Sequence, residues 1–166
     1  MIFKKSPEKF WDLISARYAA SPISDITAYE TKIETIKSYL SPEDVVLDIG
    51  CGTGASTLTL ARLLNARITA VDFLQDFLDE LNLRAGEAGL ADRITSLACS
   101  MDALPFDEDS LDLIWSEGAI YNIVYEQGVR TWRPFLKPGG VLVASEITWL
   151  TDRRPAELDA YWSAAY

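Results

Sequence analysis

The stretch Val45-Val46-Leu47-Asp48-Ile49-Gly50-Cys51-Gly52-Thr53-Gly54 decides how this chain folds. Its first half is apolar except for Asp48 and shows no polar alternation, which is typical of a strand buried in a parallel sheet. Three glycines at alternate positions follow, and residues 56–64 have the composition of a helix. Glycine lets a ligand approach the backbone closely, and N–H groups at a helix start favour negative charge. The stretch therefore predicts a site for a nucleotide-like ligand.

Two classes of ligand are compatible with this strand, turn and helix. The pattern Gly50-x-Gly52-x-x-Ala55, with Asp72 downstream to hold a ribose, matches the loose fingerprint of dinucleotide-binding folds. The pattern Asp48-x-Gly50-x-Gly52-x-Gly54 is narrower, because a carboxylate at the strand end suits a cationic amine better than a pyrophosphate. In this second interpretation, residues 47–54 resemble the first motif of the class I S-adenosylmethionine-dependent methyltransferases.

Strand-like and helical segments alternate through the rest of the chain. Further strands are predicted at residues 67–72, 93–99, 111–115 and 141–147, with helical spacing between them and from residue 155 onward. This order predicts an α/β, doubly wound, Rossmann-like and mostly parallel sheet of about five strands, with helices on both faces in three layers. We expect residues 1–43 to form an N-terminal helical cap and residues 44–166 to form the cofactor-binding core.

The glycine turn and the second strand supply the first candidate binding residues. An acid at the end of the second strand, Asp72, can accept hydrogen bonds from both ribose hydroxyls, and the ring of Phe73 can lie against adenine. For Cys51, a small side chain that fills the turn is a better interpretation than a nucleophile. The candidate contacts in the turn are Asp48, Gly50, Cys51, Gly52 and Gly54.

The resemblance supplies three further cofactor contacts. Asp102 resembles the family acid that accepts a hydrogen bond from the adenine amine, and Met101 resembles the residue that covers the ring. The alternative for Asp102 is a cap on the short turn that follows it. Tyr18 lies in a segment that resembles the N-terminal closure over the cofactor in many small-molecule methyltransferases. Tyr29, on the second predicted helix, is a weaker candidate of the same kind.

Residues 116–123 follow the fourth strand, where this family presents the transferable methyl group. They lack the Asn-Pro-Pro-Tyr signature of enzymes that methylate base amines, and they resemble a bacterial group of small-molecule methyltransferases. Glu117 is a candidate general base, or else it meets the methionine end of the cofactor. Tyr121 is a candidate to orient the substrate or to cap the pocket. Methyl transfer requires alignment and the exclusion of water, so no metal is expected.

Composition limits the possible partners. The net charge of −10 argues against binding to nucleic acid or to an anionic membrane. The chain has no histidine, which excludes Ser-His-Asp and Cys-His triads and the usual zinc sites. No apolar signal-peptide core follows Lys4 and Lys5, and nothing approaches the length of a membrane span. We expect a cytoplasmic protein with S-adenosyl-L-methionine as cofactor and a small molecule as substrate.

Two other functions stay open at this point. The chain could bind the cofactor without turnover, or, ranked far behind, it could be an NAD-dependent reductase, which would leave Asp48 and Asp102 unexplained. The resemblance also predicts two strands after the last helix, and the sequence ends at Tyr166 without them. The fifth strand would then be an apolar sheet edge. Three explanations are open: the last helix covers that edge, a second copy covers it as in a homodimer, or the chain is a fragment of a longer product. We expect self-association or poor solubility.

Overall fold

The computed structural model describes residues 26–146 and 152–165. The predicted first helix and the candidate contact Tyr18 lie outside these residues. In chain order the elements are α1 (Ile26–Lys37), β1 (Val45–Ile49), α2 (Ala55–Leu64), β2 (Arg67–Asp72), α3 (Gln75–Glu87), β3 (Ile94–Ala98), β4 (Leu111–Glu117), a 3-10 helix (Ile120–Ile123), α4 (Tyr125–Trp132), a second 3-10 helix (Arg133–Phe135), β5 (Leu136–Ser145) and α5 (Ala156–Ala165).

The five strands form one parallel sheet in the order β3-β2-β1-β4-β5. Leu47, in the middle of β1, pairs with Thr69 of β2 on one side and Ile114 of β4 on the other. The chain therefore winds outward from β1 in both directions, and a crevice opens between the carboxyl ends of β1 and β4. This arrangement confirms the predicted fold class.

The core lies on both faces of the sheet. Val46 of β1 faces a cluster that includes Ile33 of α1 and Leu81 of α3, whereas Leu47 faces a cluster that contains Trp132 of α4. Neighbouring residues of a strand point to opposite faces of the sheet. The two clusters therefore lie on opposite faces, each between the sheet and one layer of helices. Because α1 packs into the first cluster, it shares the core of the sheet. The proposed boundary at residue 43 stays a prediction.

The end of the sheet at β4 and β5 differs from the prediction. Residues 136–140, which precede the predicted fifth strand at 141–147, lie inside β5 and form a bulge, because Leu111 pairs with Leu136 and Leu113 already pairs with Val141. β4 also continues past the predicted end at residue 115 to Glu117. Among the described strands β5 pairs on one side, as does β3. The expected self-association stays a prediction.

Two kinds of feature are absent from the described ranges, 26–146 and 152–165. Neither range contains a helix with the length and apolarity needed to cross a membrane. The same residues hold no group of three or more acidic or cysteine side chains placed to bind a metal ion.

Candidate active site

The three glycines of the turn after β1 are required by its geometry. Their φ angles are positive, +71° at Gly50, +53° at Gly52 and +84° at Gly54, a region that L-residues with side chains rarely adopt. A Cβ on Gly50 would lie 2.3 Å from the Cβ of Ala119, which follows β4. The turn is therefore packed directly against the segment at the end of β4.

Four N–H groups of this turn are used within the protein. Gly50 and Cys51 both donate to the Val71 carbonyl, at 2.8 and 3.0 Å, and Gly52 donates to Asp72 Oδ2 at 3.0 Å. Gly54 donates to the Cys51 carbonyl at 3.0 Å. A loop that cradles a pyrophosphate offers such groups to the phosphate oxygens. Here they are already bonded, which favours a ligand without phosphate.

Asp72 joins β2 to the glycine turn. One carboxylate oxygen accepts the N–H of Gly52 and the other accepts the N–H of Leu74, at 3.0 Å each. Burial raises the pKa of Asp72, and the hydrogen bonds from Leu74 and Gly52 oppose that rise. A hydrogen bond from the backbone N–H of Phe73 opposes the rise in pKa as well, and Asp72 is 9% exposed. Phe73 beside it is 49% exposed.

Asp48 lies beneath the turn and not at its surface. It is 1% exposed, and Oδ2 accepts a hydrogen bond from the Thr57 hydroxyl at 2.6 Å. Burial raises the pKa of Asp48 to about 7, and nearby Glu117 and Asp72 add to the rise, although hydrogen bonds from Thr57 and Ser56 oppose it. A carboxylate at this depth acts on a cationic ligand through its field.

Cys51 fills space within the turn. The side chain is buried, and its thiol donates to the Gly52 carbonyl at 3.5 Å. Burial, with the negative charges of Asp48 and Asp72, raises the pKa of the Cys51 thiol far above its ordinary value. A thiol held in its protonated form is a poor nucleophile. These observations favour the interpretation of Cys51 as a packing residue.

The segment after β3 also lies close to the glycine turn. Met101 Cε lies 3.7 Å from the position of a Cβ on Gly50, and the Met101 carbonyl accepts the indole N–H of Trp132 at 2.8 Å. Asp102 is exposed, and no described residue donates a hydrogen bond to its carboxylate. The short turn is closed by its own backbone, since the Ala103 N–H donates to the Ser100 carbonyl. The interpretation of Asp102 as a turn cap loses its support.

Glu117, at the end of β4, has a partner that the sequence analysis missed. Lys32 of α1 donates a hydrogen bond to Glu117 Oε1 and forms an ion pair with it. The Lys32 ammonium also lies over two aromatic rings, 4.5 Å from the centroid of Tyr29 and 5.0 Å from that of Trp115. The sequence does indicate the contact between Lys32 and Tyr29, because the two residues are three positions apart on α1. It does not indicate the pairing of Lys32 with Glu117.

Buried polar atoms near Glu117 have no hydrogen-bond partner among the described residues. They are the Tyr29 hydroxyl, the Trp115 indole N–H and the Ser116 hydroxyl. Burial is the main cause that raises the pKa of Tyr29, and the negative charges of Glu117 and Asp48 contribute. Unpaired buried groups are rare in folded proteins and are typical of functional sites. These three groups near the end of β4 can therefore form further hydrogen bonds.

The segment after Glu117 contains the second catalytic candidate. Tyr121 lies on the 3-10 helix Ile120–Ile123 and is partly exposed. Val124, which follows that helix, has φ +66° and ψ 130°, a conformation that is strained for a β-branched residue. The structure thus places Tyr121 on a short and strained connection, and its role stays a prediction.

Together these features define a class of protein. It has a parallel α/β sheet whose switch point lies between β1 and β4, and the acids Asp72 and Glu117 end β2 and β4 on either side of it. The family described as a methyltransferase domain matches residues 46–140, which is more than half of the chain. The chain belongs to the S-adenosylmethionine-dependent methyltransferases.

Individual relatives agree with this assignment. The chain is 31% identical over 121 residues to the uncharacterized methyltransferase YodH of Bacillus subtilis, covering 73% of this chain and 51% of that protein. It is 27% identical to geranyl diphosphate 2-C-methyltransferase of Streptomyces ambofaciens, covering 83% of this chain and 49% of that one. The chain spans about half the length of these two curated relatives.

A solved structure extends the comparison to most of the chain. The crystal structure of a SAM-dependent methyltransferase from Geobacter sulfurreducens, in complex with S-adenosyl-L-homocysteine, superposes with a TM-score of 0.73 at 26% identity. The match covers 93% of this chain and 61% of that chain. The expected family is confirmed.

Proposed function

We propose that this chain binds S-adenosylmethionine at the glycine turn after β1 and transfers its methyl group to a small-molecule nucleophile at the end of β4. The observation that carries the proposal is Asp72, whose carboxylate ends β2 beside the glycine turn and holds that turn through Gly52. Two adjacent ribose hydroxyls can donate to such a carboxylate. The bonded N–H groups of the turn agree, because this cofactor has no phosphate.

The other predicted contacts fit the same ligand. Met101, held by Trp132, and half-exposed Phe73 offer surfaces for the adenine ring, and Asp102 offers a free acceptor for its amine. The cofactor supplies a methyl group already activated on a positively charged sulfur. Asp48 lies beneath the turn and favours that positive charge by its field.

For the transfer itself, the chain must align the nucleophile with the methyl carbon and keep water out. Tyr121, on the 3-10 helix that follows β4, is the candidate to orient the substrate. The nucleophile forms a bond to the methyl carbon as the sulfur–carbon bond breaks. If the nucleophile arrives protonated, Glu117 is a candidate general base, and the alternative is that it meets the methionine end of the cofactor.

A small molecule is the substrate class that the observations favour. The net charge of −10 opposes a phosphate-rich macromolecule. Several relatives are named for small molecules, among them a demethylmenaquinone methyltransferase that is 33% identical over 114 residues. The same charge argument, and two cysteines that are both free, agree with a cytoplasmic location.

Three variants test cofactor binding by calorimetric titration with S-adenosylhomocysteine. Asp102→Ala removes an exposed acceptor, so affinity should fall about tenfold with no change in unfolding temperature. Asp72→Ala should weaken binding by about 1.5–3 kcal/mol and also lower the unfolding temperature, because Gly52 and Leu74 lose their acceptor. Glu108→Ala, on an exposed acidic loop, is the control. Unchanged affinity in both aspartate variants would contradict the proposed site.

Turnover needs a separate measurement. The chain is incubated with the cofactor and a metabolite extract, and mass spectrometry follows the gain of one methyl group. A methylated product that depends on the chain supports the proposal. Tight binding with no product would favour the alternative of a cofactor-binding protein without turnover.

A further inference from the structure

The ion pair between Lys32 and Glu117 lies next to the proposed cofactor site. Glu117 ends β4, and Ala119, two residues later, is in contact distance of Gly50. Lys32 comes from α1, which is 85 residues away in sequence. The pair is therefore held at the mouth of the crevice between β1 and β4, where two distant parts of the chain meet.

The ion pair packs against two buried aromatic rings on one side and is partly exposed on the other. The side chains of Lys32 and Glu117 are 35% and 32% exposed, whereas Tyr29 and Trp115 beneath them are buried. The two rings meet edge to face, with centroids 6.3 Å apart, and the Lys32 ammonium lies over both. Cation–π attraction keeps the ammonium in place, and the exposed sides of both charges stay accessible to a ligand.

The other charged groups at the turn are already committed. Asp48 is buried and accepts from Thr57, and Asp72 is the acceptor proposed for the ribose hydroxyls. Arg84 approaches the turn as well, but its guanidinium donates to the carbonyl and hydroxyl of Thr53, at 2.8 and 3.2 Å. Lys32 and Glu117 form a matched positive and negative pair that a ligand can reach.

A matched pair suits one particular chemistry. The methionine end of S-adenosylmethionine carries an α-ammonium and an α-carboxylate on one carbon, so it presents two opposite charges side by side. Each charge requires a partner when it leaves water. A pair that satisfies itself in the free protein can offer both partners without leaving an uncompensated charge beforehand.

We propose that Lys32 and Glu117 exchange partners when the cofactor binds, so that Glu117 receives the α-ammonium and Lys32 receives the α-carboxylate. The four charges then alternate in sign above the rings of Tyr29 and Trp115. This inference rests on the proposed function and assigns Glu117 to the amino-acid end of the cofactor. It also makes Lys32 a binding residue, contributed by α1.

The test compares three ligands that differ only at the amino-acid end. S-adenosylhomocysteine has both charges, its decarboxylated analogue keeps only the ammonium, and methylthioadenosine has neither. Calorimetric affinities are measured for the unmodified chain, Lys32→Met and Glu117→Gln. The matched control is Lys37→Met, because Lys37 lies on the same helix and pairs with Glu34 at the surface.

The expected pattern is a selective loss. Lys32→Met should lower the affinity for S-adenosylhomocysteine about tenfold and leave methylthioadenosine unchanged, so its preference for a carboxylate disappears. Glu117→Gln should remove the preference for the decarboxylated amine over methylthioadenosine. Lys37→Met should behave like the unmodified chain, and unchanged methylthioadenosine binding shows that each variant is folded.

Two results would overturn the inference while leaving the proposed function intact. In the first, Lys32→Met still prefers S-adenosylhomocysteine to its decarboxylated analogue. In the second, Lys32→Met binds S-adenosylhomocysteine more tightly, which would make Lys32 a competitor of the ligand. If none of the three ligands binds the unmodified chain, the proposed function fails and this inference fails with it.

Discussion

The carboxyl ends of β1 and β4 are neighbours in the sheet, yet their polar groups are satisfied in opposite ways. After β1, the N–H groups of Gly50, Cys51, Gly52 and Gly54 have partners within the protein. Buried Asp48 accepts a hydrogen bond from Thr57. At β4, the Trp115 indole and the Ser116 hydroxyl are buried without a partner in the described part of the chain. The strained Val124 follows a few residues later.

The contrast separates binding from chemistry. A turn whose hydrogen bonds are complete is already organised before any ligand arrives, and it can hold a cofactor without rearrangement. A strand end with unpaired groups and a strained connection reaches its lowest energy only when something else completes it. We therefore expect the β1 end to bind the cofactor and the β4 end to bind the substrate.

The largest effect is expected from filling the turn at β1. Gly50→Ala combines a positive φ with a Cβ only 2.3 Å from that of Ala119, so it should destabilise the fold by about 2–4 kcal/mol. Gly86→Ala is the control, because a Cβ there meets nothing within 4 Å in the interior of α3. It should gain up to about 1 kcal/mol. Denaturant unfolding compares the two, and similar effects would refute the packing argument.

The second effect concerns the buried acid beneath that turn. Burial raises the pKa of Asp48 from 3.8 to about 7 in the folded state, so folding favours its protonated form. Its cost to stability is absent below about pH 4, grows as the pH rises and is complete above pH 7. Asp48→Asn should therefore gain stability over the unmodified chain by about 2–3 kcal/mol more at pH 8 than at pH 4. Equal differences at the two pH values would contradict the assignment.

The third prediction compares one hydroxyl from each strand end. Thr57→Val removes the donor to Asp48 and should cost about 1–3 kcal/mol. Ser116→Ala removes a buried hydroxyl without a partner among the described residues, so the cost should stay below about 0.5 kcal/mol, or stability should rise. Thermal unfolding of both variants measures the difference. A larger loss for Ser116→Ala would reverse the comparison.

The smallest effect is expected at the strained connection. Val124 is exposed, so its side chain adds little packing, whereas glycine adopts a positive φ without steric cost. Val124→Gly should stabilise the chain by about 1 kcal/mol in chemical denaturation. A loss of stability would show that the Val124 side chain contributes more than its backbone strain costs.

The sequence predicted what is local and missed what depends on distant pairing. The glycine turn, the acid at the end of β2 and the succession of strands and helices follow from short patterns, because glycine positions and apolar runs act within a few residues. The Lys32–Glu117 pair joins residues 85 apart, so no short pattern contains it. The same applies to the depth of Asp48, which only the packed sheet determines.

The bulge in β5 shows how a correct local pattern can still be misplaced. Pro138, Gly139 and Gly140 are typical turn residues, and the backbone does turn there, with φ +88° at Gly139. However, Lys137 pairs with Asp112 at 2.7 Å, and Leu136 pairs with Leu111, so the strand begins before the turn. Register against β4 decides this boundary, and the sequence of β5 alone does not contain it.

The most direct test of the central claim is a calorimetric titration of the unmodified chain with S-adenosylhomocysteine and, separately, with NAD. The claim is that a turn with its N–H groups already bonded, edged by Asp72 and Asp102, selects an adenosine ligand that lacks phosphate. Saturable binding of one S-adenosylhomocysteine per chain, with no heat from NAD, is the predicted result. Binding of NAD at the same site with equal or higher affinity would contradict the account.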